Sequence, residues 1–271
     1  MLKVELEDNG TRAHQAESDA DVLIVDTAVK ISETAAVGIV GENVDLIVLL
    51  MAEADAHNEI IFIKPGRGET RDSLFSSQGL QQLGFKDVLF LHAFTGYDTT
   101  SSAFRKSKVA FAKLYLKSRE VHKAAAVFSD PSSTTAQVQK AGETCILRWY
   151  GAPAEEVTLN AFRYNSFLKS VAIIKPDISS LPPSKGATKQ HSLRTFHHVQ
   201  VWLGNDLPPQ MHGWKIEDNC LVPVSQCIGN CLNRDPQVDS ENEGEQDGPL
   251  TGFLQEDENE DEDQDLFPSR D

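Results

Sequence analysis

The sequence lacks the long apolar segments that mark membrane and secreted proteins. Its 271 residues contain no run of about 18 apolar residues, so no membrane span is expected. The N-terminal stretch is charged and has no apolar core, which argues against a secretory signal. We therefore expect an intracellular protein, and the composition is also compatible with the nucleus.

Several catalytic motifs are also absent. The chain has no glycine-rich P-loop, no Gly-x-Ser-x-Gly elbow and no His-Glu-x-x-His pair. A cysteine nucleophile is poorly supported, because Cys145 lies in an apolar helical pattern. These absences argue against the P-loop nucleotide hydrolases, the serine hydrolases of the elbow type and the zinc proteases that use this helical motif.

Cysteine is scarce, with four residues in the chain. Without a signal peptide these cysteines are expected to stay reduced. Cys227 and Cys231 have a spacing that zinc could use, with Cys220 seven residues earlier and His212 as a candidate fourth ligand. The alternative, which we favour, is a set of free thiols in a loop.

Basic residues are almost missing from the C-terminal segment. Residues 235–271 hold 15 acidic residues and one basic residue, out of 41 acidic and 25 basic in the chain, so residues 1–234 carry 26 acidic and 24 basic. Most of the net charge of −16 is therefore carried by the tail, which we expect to be disordered. Such a tail aids solubility; alternatively, it attracts a basic protein partner.

The apolar pattern predicts an α/β domain. We expect parallel-type strands at 36–40 and 59–64, the first of them buried, with Lys3–Leu6 as an additional strand. We expect one helix at 74–83 and one long amphipathic helix at 106–128. Further helices are expected at 20–34, 45–52, 86–95, 134–149, 157–171 and 192–203, and little regular structure beyond Pro223.

Acidic residues lie at the edges of three apolar segments. The first is Asp19-Ala-Asp21, the second is Gly41-Glu-Asn43-Val-Asp45, and the third is Gly96-Tyr-Asp98-Thr-Thr-Ser. Burying a lone carboxylate is costly, so three such edges are easier to explain if they converge on a shared cation. Oxygen ligands of this kind suit Mg²⁺ or Mn²⁺.

In order and spacing, these three motifs resemble the PIN-like nucleases of the flap endonuclease (XPG) superfamily. More closely, they look like uncharacterised, transposon-associated animal proteins with a Gly-Cys-Asp-Thr-Thr-Ser signature. The resemblance implies a two-ion Mg²⁺ or Mn²⁺ site and phosphodiester hydrolysis in DNA or RNA. It implies metal ligands at Asp19, Asp21, Asn43, Asp45 and Asp98, the four aspartates also being catalytic, and nucleic-acid contacts at Thr99, Thr100, Arg105, Lys106 and Lys108.

The chain departs from this family in three ways. Asn43 stands where an aspartate is expected, further upstream aspartates are absent, and the turn at Phe104–Lys108 lacks glycine. These departures predict the C-terminal part of a truncated domain. They also keep open a catalytically inactive remnant that binds nucleic acid or protein.

Structural explanations compete with each functional one. The aspartates of the three motifs could cap or begin helices, and residues 105–108 could be a solvated face. His92 is more simply a packed core residue. The histidines at 191, 197 and 198 are more simply partly exposed helix residues.

We therefore expect a partial PIN-like parallel sheet flanked by helices over residues 1–128. A helical extension over 129–222 and the acidic tail over 223–271 should follow. The leading functional hypothesis is a metal-dependent, structure-selective nuclease that prefers DNA, and the alternative is the inactive binding module.

Overall fold

The computed structural model describes residues 2–17, 19–54, 59–68, 70–155, 158–171 and 178–225, which form a mixed α/β fold. The acidic tail, Cys227 and Cys231 lie outside these residues. Within them, the helices are α1 (Leu2–Asp8), α2 (Ala20–Ser32), α3 (Val44–Glu53), α4 (Ser77–Gln81), α5 (Val88–Phe94), α6 (Lys108–Lys117), α7 (Arg119–Ser129), α8 (Thr135–Trp149), α9 (Leu159–Val171) and α10 (Lys185–Trp202). The strands are β1 (Val37–Val40), β2 (Ile60–Lys64), β3 (Ser73–Ser76), β4 (Trp214–Glu217) and β5 (Cys220–Pro223).

The main sheet has the order β1-β2-β3. As predicted, β1 and β2 are parallel, but β3 runs antiparallel to β2. The expectation of a buried β1 is wrong in part, because Ile39 is buried while Val40 is 66% exposed. Only one face of β1 is therefore covered, so its side chains alternate between core and solvent.

Two helical predictions fail for local reasons. The segment predicted as a helix from residue 74 begins as β3, where Phe75 pairs with Phe62 across the sheet. The long helix predicted at 106–128 is interrupted at Ser118. That serine ends α6 and caps α7 by accepting a hydrogen bond from the Val121 backbone N–H.

The two ends of the described chain also differ from expectation. Residues 3–6, expected as a strand, belong to helix α1. The hairpin of β4 and β5 was not predicted, and it turns at Asp218 and Asn219, both with positive φ. Short polar residues tolerate this left-handed conformation better than other residues do. The helix expected at 192–203 begins seven residues earlier, at Lys185, where Ser184 caps it. The other predicted helices are present with small shifts of their ends.

Phenylalanines join the sheet to the helices. The rings of Phe90 and Phe94 on α5 lie against those of Phe111 and Phe128, with centroids 4.5 to 6.1 Å apart. Behind them α8 and α10 pack closely, because Gly142 faces Ser192 without an intervening side chain. No helix within the described residues combines the length and apolar character needed to cross a membrane.

Candidate functional site

The first two acidic motifs form the N-terminal ends of α2 and α3. Asp19 caps α2 by accepting a hydrogen bond from the Asp21 N–H, 2.9 Å away. Asn43 caps α3 in the same way through the Asp45 N–H, at 3.1 Å. Asp21 and Asp45 lie in the first turns, where the helix dipole favours negative charge. The structural explanation of Asp19 and Asp21 as a cap and a first-turn carboxylate is thus confirmed, whereas the cap of α3 is Asn43 and not Asp45.

Asn43 also links the two helix ends. Its Nδ2 donates a hydrogen bond to Asp21 Oδ2 at 2.6 Å, while its Oδ1 accepts from the Asp45 N–H. Both ends of the amide are therefore engaged within the protein. The amide group gives Asp21 a neutral donor at the place where the family resemblance implies a charged ligand.

His92, on α5, reaches the same group of residues. Its Nε2 lies 2.8 Å from Asp45 Oδ1, and the ring packs against Tyr97 and Trp202, with centroids 5.2 and 5.9 Å away. The prediction that His92 is packed in the core is confirmed, since the residue is 4% exposed. Its polar contact with a carboxylate was not foreseen. A histidine within an otherwise apolar helix, four residues before a Gly-x-Asp element, was the signal for it.

The third motif is a tight loop after α5. Gly96 has φ +116°, and a Cβ there would lie 2.9 Å from the Ser102 Cα, so only glycine fits. Thr100 is buried and donates its hydroxyl to the Ala93 carbonyl oxygen. Asp98 is exposed at the turn between Tyr97 and Thr100. The loop therefore fixes the backbone on both sides of Asp98 while leaving its side chain accessible.

The four predicted aspartates all raise the pKa of the Tyr97 hydroxyl. Burial raises the pKa of Tyr97, and the nearby charges of Asp45, Asp98, Asp19 and Asp21 raise it further. Aspartates from all three motifs, between positions 19 and 98 of the sequence, thus act on the same side chain.

Asp21 and Asp45 respond differently to this neighbourhood. Burial raises the pKa of Asp21, and the charges of Asp19 and Asp45 add to the effect. Burial also works to raise the pKa of Asp45, but the hydrogen bond and charge of His92, the hydrogen bond of Asn43 and the charge of Lys108 together outweigh it and lower the pKa. The charged form of Asp21 is therefore unfavourable in the folded protein, while that of Asp45 is compensated.

The predicted basic residues are divided between two places. Lys108 points inward, donates to the Gly96 carbonyl oxygen and has a pKa lowered by burial to about 8. Arg105 lies over the Phe104 ring at 5.0 Å, and Lys106 lies over the Tyr150 ring at 4.7 Å. Arg105 also has φ +52°, so it takes the left-handed conformation usual for glycine at the turn that lacks one.

The remaining predicted residues are placed as follows. Thr99 lies 3.4 Å from His198 through its hydroxyl and the ring Nδ1. The histidines at 191, 197 and 198 are partly buried, and each ring is hydrogen-bonded within the protein. Cys145 is buried in α8 and Cys220 is exposed in β5. With two of the four zinc candidates, Cys227 and Cys231, outside the described residues, the zinc hypothesis stays a prediction.

The aspartate oxygens suit a hard divalent cation in kind. One oxygen each of Asp19, Asp21 and Asp45 accepts the hydrogen bonds described above, and carboxylates that ligate metals are commonly hydrogen-bonded in this way. Across the described part of the chain, no three His, Cys, Asp or Glu side chains are already grouped closely enough to hold a metal ion. The donor set therefore fits Mg²⁺ or Mn²⁺ in chemistry, without a preformed coordination shell.

No family model, curated protein or solved structure matches this chain.

Proposed function

We propose that the carboxylate site, meaning Asp19, Asp21, Asp45 and Asp98, binds Mg²⁺ or Mn²⁺ and serves a nuclease-like protein that acts on nucleic-acid phosphodiesters. The proposal rests on the Asn43 side chain, which joins Asp21 to the end of α3 that carries Asp45, and on the charges of all four aspartates, which act together on Tyr97. A bound divalent ion stabilises the negative charge that develops on a phosphoryl group. In this proposal the sheet is the C-terminal part of a PIN-like domain.

The charges around Asp21 favour the binding of a cation. Its carboxylate faces two others and has a neutral amide as its side-chain donor. Because its folded pKa is raised, ionisation of Asp21 at neutral pH opposes folding. A residue that costs stability in this way is typical of a binding site, where a ligand supplies the compensation.

His92 has a supporting role in this proposal. The ring packs against the aromatic side chains of Tyr97 and Trp202, and its Nε2 is hydrogen-bonded to one oxygen of Asp45. His92 thus orients the carboxylate and keeps it ionised, which is what a metal ligand requires.

A second candidate function is a non-catalytic module that binds nucleic acid or protein. The double engagement of Asn43 favours it, because the amide already donates to the Asp21 carboxylate and accepts from the Asp45 backbone N–H without a metal. In that case the carboxylates are helix caps, and the fold is retained for its surfaces.

Calorimetric titration of Mn²⁺ into the full chain separates these functions. The variant Asp21→Asn/Asp98→Asn removes two charges while keeping the shape of both side chains. We expect saturable binding to the native chain and a loss of about tenfold or more in the variant, since charge is the main source of affinity for hard cations. Asp26→Asn, a partly buried aspartate of the same helix α2, is the matched control and should bind normally.

Thermal unfolding of the same proteins without metal gives an independent readout. Because ionised Asp21 opposes folding, Asp21→Asn alone should match or exceed the native chain in stability. Absence of Mn²⁺ binding in a folded native chain would overturn the metal site and leave the binding module. Cleavage of branched and single-stranded DNA in Mn²⁺, abolished in Asp21→Asn/Asp98→Asn, would establish the nuclease.

A further inference from the structure

A second site lies on the other side of the Asp98 loop. It is a pocket of about 640 Å³ between residues 101–104, α8, α10 and the segments at 178–183 and 223–225. Its size is within the usual range of about 300 to 1,000 Å³ for small-molecule sites. The lining of the pocket includes Phe104, Trp149, Tyr150, Arg163, Ala187 and Arg194.

The charges that line the pocket are positive. Arg163 and Arg194 both line it, and no aspartate or glutamate is found among its described lining residues. Arg163 donates to the Pro182 carbonyl oxygen. This distribution is the opposite of that at the carboxylate site, and it favours an anionic ligand.

Arg194 is the more unusual of the two arginines. It is 9% exposed, and within the described residues no carboxylate lies within ion-pair distance of it. Its contacts are a long hydrogen bond of 3.5 Å to the Gly213 carbonyl oxygen and the Trp214 ring at 5.8 Å. Burial of a charge with so little compensation is costly, and burial accordingly lowers its pKa. A bound anion would provide the missing partner.

The pocket also has flat apolar walls. Trp149, Tyr150 and Phe104 supply aromatic surface against which a planar ring can stack. Two of these rings carry a cation, with Arg105 over Phe104 and Lys106 over Tyr150. The basic residues of the turn therefore reinforce the positive character at the edge of this pocket.

We propose that this pocket binds an organic phosphate with a planar ring, of the size of a nucleoside monophosphate. Arginine is suited to the phosphate, because its planar fork can donate two parallel hydrogen bonds. The aromatic walls accommodate the ring. A free mononucleotide and the phosphorylated end of a nucleic-acid strand share this chemistry. The proposal does not depend on metal binding by the carboxylate site.

The test is calorimetric titration of the full chain with adenosine 5′-monophosphate in buffer containing EDTA. Adenosine and inorganic phosphate, each lacking half of the ligand, should bind at least about tenfold more weakly, because the pocket contacts both parts. Arg194→Met should weaken binding of the monophosphate by about tenfold or more. Arg119→Met, an exposed arginine in the first turn of α7, is the control and should bind as the native chain does.

A steric variant covers the case in which Arg194→Met fails to fold. Ala187 is an exposed residue of α10 that lines the pocket, so Ala187→Trp fills the space without disturbing the core. It should abolish binding and leave the circular dichroism unchanged. Monophosphate binding that survives Ala187→Trp would overturn the proposal.

Short oligonucleotides distinguish the two sources of the ligand. Tighter binding of a 5′-phosphorylated trinucleotide than of the free monophosphate would identify a strand end as the ligand. Equal or weaker binding of the trinucleotide would identify a free mononucleotide. Failure of both the monophosphate and the phosphorylated trinucleotide to bind the native chain would overturn the proposal.

Discussion

The carboxylate site and the arginine pocket lie at opposite ends of one loop and have opposite charge. Asp98 belongs to the first, and residues 101–104 border the second. The first site gathers four aspartates around two helix N-termini, whereas the second places two arginines in a pocket whose described lining has no acid. In both regions the environment of a residue, and not its type, distinguishes the site. Asp21 and Arg194 each carry a charge that the described residues around them compensate poorly.

Helix α10 is shared by the two regions. His191 lines the arginine pocket and binds the Phe94 carbonyl oxygen, with 2.9 Å between Nε2 and the oxygen. About two turns further on, His198 packs against Tyr97 and Trp202 beside the carboxylate site, with ring centroids 4.5 and 4.0 Å away. Disturbing α10 should therefore affect both sites at once.

Acid should have the largest effect on this shared helix. Burial lowers the pKa of both His191 and His198 to about 4, against an ordinary value near 6.5. Between these values the unfolded chain binds more protons than the folded chain, so stability is lost as the pH falls from 6.5 toward 4. Together the two histidines should cost on the order of 4 kcal/mol by pH 4.5. Urea unfolding measured between pH 7 and pH 4.5 records this loss.

Single replacements divide the acid effect. His198→Gln and His191→Gln should each remove a similar share of the pH dependence, whatever they do to stability at pH 7. The rest falls to other groups, including His92 and His197, whose pKa values burial also lowers. His14→Gln, at an exposed position, should leave it unchanged. The same slope in all four proteins would show that other groups control acid unfolding, and that α10 does not couple the two regions in this way.

An intermediate effect is expected where α8 packs on α10 behind the pocket. A Cβ added at Gly142 would lie 1.8 Å from Ser192 Oγ. Gly142→Ala should therefore lower the unfolding free energy by about 2 kcal/mol, more than the ~1 kcal/mol that alanine gains as a helix former. Urea unfolding provides the measurement. In Gly79→Ala the added Cβ meets nothing closer than 3.8 Å, so no such loss should occur there.

The smallest effects are expected at the helix caps of the two regions. Asp19 caps α2 at the carboxylate site, and Ser184 caps α10 beside the pocket. Asp19→Ala and Ser184→Ala should each cost about 1 kcal/mol in urea unfolding, whereas Asp19→Asn keeps the cap and should cost little. A loss in Asp19→Asn as large as that in Asp19→Ala would mean that the charge, and not the cap, stabilises this end of α2.

The carboxylate site could be predicted in large part from the sequence, because each of its motifs is local. A carboxylate or amide directly before an apolar helix specifies its own cap, and the parallel strand between α2 and α3 brings the two helix ends together. The contacts that other helices make with the site could not be predicted from the sequence. The contact of His92 with Asp45 and the inward direction of Lys108 depend on how α5 and α6 pack.

The arginine pocket could not be predicted from the sequence either, because it also depends on how distant segments pack. Its lining comes from six separate stretches between residues 101 and 225, one of them Arg163 of α9, so no short sequence pattern predicts it. Local exceptions also escaped prediction: β3 is only four residues long and is specified by pairing with β2, and one serine divides α6 from α7. In β3 a tertiary contact overrides a local preference, whereas at Ser118 a local side-chain cap divides the two helices.

The most direct test of two separate, oppositely charged sites is a crossed titration. Mn²⁺ and adenosine 5′-monophosphate are titrated separately, the latter in EDTA, onto the native chain, Asp21→Asn/Asp98→Asn and Arg194→Met. The account predicts that the aspartate variant loses Mn²⁺ but keeps the nucleotide, and that the arginine variant does the reverse. Loss of both ligands in each variant, with the fold intact, would contradict it, as would a native chain that binds neither.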